Sequence, residues 1–160
     1  GVRMYHRKIQ EQLRESLTLE NLLGRRIRFM DRWGDDLFKE GYAFVPQSTV
    51  ADKLNRHGVH LLYYGTWDED TSFVELMEPV ELLNQVHDSL VFQIPIGVGW
   101  DQHAEILNTL LLSLQRPLTY NGGDFTIPAD AKLLVKSLAN GKELPRNKVT
   151  PEQLEEAYAS

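Results

Sequence analysis

The chain has no cysteine among its 160 residues, which excludes disulfide cross-links and thiolate metal centres together. A reducing compartment such as the cytoplasm is thereby permitted. Long hydrophobic runs are also missing: no window approaches the roughly 18 apolar residues of a membrane-spanning helix. The opening Gly1-Val2-Arg3-Met4-Tyr5-His6 lacks the apolar core of a secretory signal, and no membrane partner is expected. Internal repeats and low-complexity segments do not occur. Positive charge is in deficit, and a net charge of −6 argues, taken alone, against a protein that holds nucleic acid by neutralising phosphates. With 42% hydrophobic and 25% charged residues, the chain has the composition of one ordinary domain, long enough to bury a core.

The charge is unevenly distributed. Arg25, Arg26, Arg28 and Arg32 fall close together, whereas acids gather in Asp68-Glu69-Asp70, from Glu75 to Glu81 and from Glu152 to Glu156. By itself the basic run reads as a solvated loop beside a helix end.

Periodicity predicts the elements. Ile9, Leu13, Leu17 and Leu19 at near-helical spacing predict an amphipathic helix from Tyr5 to Leu19, ending before Gly24. Alternation at Ile27 and Phe29 suits a short extended segment, and Trp33 to Tyr64 is helical in character. Pro46 disfavours helix at Val45, while Ser48 and Thr49 are capable caps, so two helices are expected to meet there. Gly65 to Ser72 has the composition of a surface loop. Two β-rich runs, Pro79 to Val86 and Leu90 to Pro95, bracket His87-Asp88-Ser89 and predict a hairpin with charge at its tip. Ile106, Leu107, Leu110, Leu111 and Leu114 form one stripe of a helix that ends at Arg116-Pro117. Asn121 to Asp124 signals a turn, with a strand from Phe125 to Pro128. The polar tail ends in a short helix opened by Thr150-Pro151-Glu152, which need not join the core.

The hairpin tip carries the most chemistry. A carboxylate held on a tight turn with apolar strands behind it is well placed to ligate a hard cation such as magnesium. A turn aspartate commonly does no more than bond its own backbone, and an isolated histidine such as His87 is more often a structural hydrogen-bonder than a base.

The whole string Leu83-Asn84-Gln85-Val86-His87-Asp88-Ser89-Leu90-Val91-Phe92 closely resembles motif C of family A DNA polymerases, commonly written Gln-Val-His-Asp-Glu-Leu-Val-Phe. Upstream, Leu23-Gly24-Arg25-Arg26-Ile27-Arg28-Phe29 is similar to the Gly-Arg-Arg segment of that family. Val45-Pro46-Gln47-Ser48-Thr49-Val50-Ala51-Asp52 is similar to its Pro-Ile-Gln-Gly-Thr-Ala-Ala-Asp segment. The blocks occur in the family's order, the resemblance spans Tyr5 to Ile127, and its style is phage-like.

The resemblance implies an α+β fold in which an antiparallel palm-type hairpin packs with helices. Residues 1–139 would form the carboxyl-terminal palm and fingers portion of a DNA-directed DNA polymerase, and residues 140–160 a polar tail. It implies a magnesium-dependent nucleotidyl transfer in which two metal ions are clamped by two palm carboxylates. Asp88 matches one of these carboxylates as metal ligand and catalytic residue. The other is expected outside this chain, as are the fingers residues that handle the incoming deoxynucleoside triphosphate, so the isolated chain is expected to be inactive. His87 matches a catalytic-site histidine near the primer terminus. Gln47, Gln85, Arg25 and Arg26 match positions close to primer-template DNA; an arginine fork suits phosphates and groove edges. Asp52, Asp68 and Asp70 are not expected to replace the second carboxylate. The implied compartment is the cytoplasm of a bacterial or phage-infected cell.

Two residues depart from the family pattern. Ser89 stands where Glu is usual, which puts an auxiliary carboxylate in doubt, and Ala43 stands where many members have Asn. Three origins fit such a chain: a fragment of a polymerase, one subunit of a split polymerase that needs its palm and fingers partner in trans, or a non-catalytic nucleic-acid-binding or protein-interaction module that kept the hairpin.

Overall fold

Ile9 and Leu13 lie one turn apart on an otherwise charged helix, and both are buried. They seat α1 (Val2–Ser16) on α2 (Asp35–Leu54). Contact is close at Gly41, where a Cβ would lie 2.9 Å from the Leu13 side chain and 3.2 Å from that of Ile9. The computed structural model describes residues 1–135 and 139–160. Within them the architecture is mixed α and β, with four separate two-stranded antiparallel sheets set among helices. No helix among the described residues is long and apolar enough to cross a membrane.

Helix α1 stops earlier than its periodicity predicts. Leu17 turns into the left-handed region at φ 51°, and Leu19 is carried into β1 (Thr18–Glu20), where it is buried against α1 and α2. Strand β1 pairs with β2 (Arg26–Arg28), so the extended segment expected there is one arm of a hairpin.

The helix break expected at Pro46 does not occur: α2 runs straight through it. Proline has no N–H for the carbonyl four residues back, but the Tyr5 hydroxyl donates to that Tyr42 carbonyl at 2.8 Å. A neighbouring helix thus satisfies the group that the proline orphans. Thr49, expected as a cap, instead donates to the Val45 carbonyl at 2.6 Å from the buried face of the same helix. Helix α2 continues through a turn of π-helix (Asn55–Val59) into α3 (His60–Tyr64), closed by Gly65 at φ 63°.

After a loop and the short α4 (Val74–Met77), strands β3 (Glu81–Val86) and β4 (Ser89–Gln93) form the expected hairpin, with a register irregularity between Leu82 and Asn84. Helix α5 (Trp100–Leu114) is the central wall. Its Ile106 and Leu110 pack toward α3, α4 and the hairpin, and its Ala104, Leu107 and Leu111 toward the carboxyl-terminal elements.

Strands β5 (Leu118–Tyr120) and β6 (Gly123–Phe125) are joined by Asn121 at φ 51° and Gly122 at φ 77°, the backbone that Asn-Gly hairpins favour. The later strand therefore begins before Phe125 and ends there, short of the predicted Pro128. Strands β7 (Lys132–Leu133) and β8 (Lys142–Glu143) pair, and residues 136–138, near the expected boundary at 139, lie outside the described residues. The tail joins the core after all: α6 (Pro151–Ala159), opened by a Thr150–Gln153 capping box, buries Leu154, with Val149, against α5.

Candidate functional site

His87 and Asp88 form the two-residue turn between Val86 and Ser89, which pair across the hairpin. His87 has φ 53°, a conformation that L side chains adopt at a cost of about 1 kcal/mol or more. The turn holds both side chains at the exposed tip, while Leu82, Leu90 and Phe92 behind them pack into the core.

Among the described residues no group of three or more His, Cys, Asp or Glu side chains stands where it could hold a metal ion. Asp88 offers one carboxylate, and hard divalent cations take six or more oxygen ligands, so the described residues do not by themselves fit a magnesium ion. The other acids named above are engaged elsewhere. Asp68 pairs with Arg116, and Asp70 accepts the Ser72 N–H at 2.8 Å. Asp52 is the acceptor of a separate network.

That network ties two of the sequence blocks together. Arg25 grips Asp52 with two groups, its Nε donating at 2.8 Å. Asn21 Nδ2 reaches both Asp52 Oδ2, at 2.7 Å, and Ser48 Oγ, at 3.1 Å. The Leu22 N–H donates to Thr49 Oγ1 at 3.3 Å, and the Asn21 carboxamide oxygen accepts the Leu23 and Arg25 N–H groups, each at 2.9 Å. Partial burial pushes the Asp52 carboxyl up; the hydrogen bonds of Arg25 and Asn21 and the charges of Arg25 and Arg56 outweigh it and leave the group below its ordinary value. Sequence reasoning missed Asn21, whose side chain organises this loop. An Asn two residues before Leu23 is an Asx-turn signal, and that was the cue available.

The expected contact residues are thus dispersed. Arg25 is committed to Asp52, and Arg26 pairs with Glu20 across the β1–β2 hairpin. Gln85 is exposed on β3, close to the tip. Gln47 is exposed on α2, on the stripe that continues through Val50 and Leu54. Those last two residues line a cavity of about 370 Å³ that also has Asp88 and Ser89 in its wall, so α2 and the hairpin tip face one space. Ser89, the residue in place of the usual Glu, puts a hydroxyl there.

A buried lysine and a buried histidine follow on the same helical run. Lys53 is 3% exposed and donates to the Arg116 carbonyl just beyond α5; burial, then the Arg116 charge, lowers its ammonium below the ordinary lysine value. His57, one helical turn on, has a buried Nδ1 without a hydrogen-bond partner. Burial, with the Lys53, Arg116 and Arg56 charges, pushes its imidazole down to about 4.

Charge segregates along the chain. Residues 1–34 carry eight Lys and Arg against four Asp and Glu, leaving nine against nineteen for the remainder. The basic excess therefore sits on α1 and the β1–β2 hairpin. No family model, no curated protein and no solved structure matches this chain.

Proposed function

We propose that this chain is the carboxyl-terminal palm portion of a family A, phage-like DNA polymerase, supplying Asp88 to a composite nucleotidyl-transfer site whose second carboxylate comes from another segment. The observation that carries the proposal is the joining of the resembling blocks. The Gly-Arg-Arg segment is bonded to the Pro-Gln-Ser-Thr-Val-Ala-Asp segment through Arg25 and Asp52, with Leu22 just before it donating to Thr49, and the latter faces the His87-Asp88 turn across one cavity. Blocks separated in sequence are thereby linked pairwise, the first to the second and the second to the third, which supports the reading.

In this reading Asp88, together with a carboxylate from another segment, would hold magnesium, whose Lewis acidity would serve a primer 3′-hydroxyl and a leaving pyrophosphate. The contribution of this chain is positional. The two-residue turn fixes Asp88 at an exposed apex, and His87 beside it is placed to meet a primer end. Gln85 on the strand and Gln47 on α2 offer amide groups to a groove edge, while Arg25, held by Asp52, stiffens the loop that carries Arg26 and Arg28. The partners are primer-template DNA, deoxynucleoside triphosphates and the remaining palm and fingers.

Primer extension with magnesium tests the proposal, using the chain alone and mixed with a companion that bears the remaining palm and fingers. Activity is expected only in the mixture and is expected to fall by orders of magnitude with Asp88→Asn, which keeps the shape and removes the charge. Activity indifferent to Asp88→Asn, or no activity in a complex that forms, would refute it and favour a non-catalytic binding module.

A further inference from the structure

The cavity behind the hairpin has the construction of a small-molecule site. Its volume of about 370 Å³ lies within the range of ligand pockets. Phe92 from β4, Val50 from α2, Leu107 and Leu111 from α5, and Ile127 after β6 give it apolar walls. One buried cation belongs to that lining, Lys53. An ammonium has three donors, and the described residues engage one of them, at the Arg116 carbonyl. No carboxylate among the described residues lies within ion-pair distance of Lys53. A buried charge without a counter-ion is unfavourable, and here it borders a space with apolar side chains from four segments and an exposed polar rim.

We propose that this cavity binds a small amphipathic carboxylate, its head on the Lys53 ammonium and its apolar chain along Phe92, Leu107 and Leu111. Of the acids in the wall, Asp130 is paired with Arg146 at 2.7 Å, and Asp88 is exposed and makes no ion pair with the buried lysine. At the ~30 Å³ that each water occupies in the liquid, the cavity takes about a dozen non-hydrogen atoms, the size of decanoate. The site does not depend on the polymerase proposal.

Isothermal titration calorimetry of the full chain with decanoate and with decanol, both below their aggregation limits, tests it. Decanoate is expected to bind once per chain and roughly tenfold or more tighter than decanol, the discrimination of a charge-assisted hydrogen bond. Lys53→Met keeps the stem and is expected to abolish that preference. Ile127→Trp, which fills the cavity and leaves the lysine in place, is expected to abolish binding of both; should Lys53→Met not fold, this variant and the wild-type preference decide. Equal binding of decanoate and decanol, no saturable binding of decanoate, or binding undiminished in Ile127→Trp would overturn the proposal.

Discussion

Pro46 and Tyr5 make a coupled pair whose energetics can be worked out from one hydrogen bond. The proline leaves the Tyr42 carbonyl without its helical donor, and the Tyr5 hydroxyl supplies one at 2.8 Å from α1. Burial, then the Tyr120 charge, pushes the Tyr5 phenol up, so it remains a donor at neutral pH. Tyr5→Phe removes that donor without changing the ring, and leaves a half-buried carbonyl unpaired, at a cost of about 1 kcal/mol. Pro46→Ala restores an N–H that can close the bond from within the helix. In that background the hydroxyl has nothing left to satisfy, and Tyr5→Phe should cost less than about 0.5 kcal/mol. The two changes should therefore couple by about 0.5–1 kcal/mol, above the ~0.3–0.5 kcal/mol scatter of independent sites. Urea unfolding of the four proteins, followed by far-ultraviolet circular dichroism, measures the cycle, with equal m-values as the check on compactness. An equal cost of Tyr5→Phe in both backgrounds would show that the hydroxyl is not what lets α2 pass through proline.

Three further outcomes are expected. Leu154→Ala, at a side chain 1% exposed in the tail helix, should destabilise the whole domain by about 2–5 kcal/mol; a transition unchanged in urea would mean that α6 does not belong to the core. Gly65→Ala meets a left-handed φ of +63° and would set a Cβ 2.4 Å from the Val74 Cα. Because the obstacle is backbone, the loss should exceed the ~1–2 kcal/mol of the left-handed conformation alone, and thermal unfolding close to wild type would refute the packing described there. His57 titrates near 4 when folded against 6.5 when free, so between those values the unfolded chain binds the extra proton. Stability should then fall as pH drops from 6.5 toward 4, by up to about 3 kcal/mol at 1.36 kcal/mol per pH unit. His57→Gln should flatten that part of the pH profile of urea unfolding, and an unchanged slope would assign it to other groups.

The elements legible in the sequence were those whose signal is local. The apolar stripe of α5, the two β-rich runs around His87-Asp88 and the Asn-Gly turn each specify their backbone from within a few residues. What was not legible depended on contacts across the chain. Pro46 breaks an isolated helix, and no rule of spacing reveals a tyrosine 41 positions earlier waiting to bond Tyr42 in its place. Leu19 fits a helical stripe as well as it fits a strand, and the left-handed Leu17 decides between them only once α1 is docked. The tail looks polar because Leu144, Val149 and Leu154 are sparse among polar residues, yet all three are buried. At the candidate site, sequence identified the hairpin tip. It did not identify the Asn21 network or the buried Lys53 and His57, since burial of a polar group is a property of its neighbours.

On the proposed reading, the Arg25–Asp52 pair bears on which basic groups remain to meet nucleic acid. Arg25 was expected to touch DNA, but its fork is filled by a carboxylate below its ordinary pKa, and a phosphate would have to displace that partner. Arg26 is likewise turned to Glu20. Arg28, on the same exposed strand, and Arg32 beyond it have no ion-pair partner among the described residues, and Trp33 beside them is 51% exposed. The Trp33 ring has Arg14 over it and Phe38 against it, so in the proposed reading these two arginines, Arg28 and Arg32, would supply backbone charge for the nucleic acid. The division of labour that follows puts Arg25 in a supporting role. In the proposed polymerase reading it would fix the loop, and its neighbours would do the binding. Arg28→Ala should then weaken DNA binding more than Asp52→Asn does, because the latter loosens the loop but also releases Arg25 to compete for the phosphates.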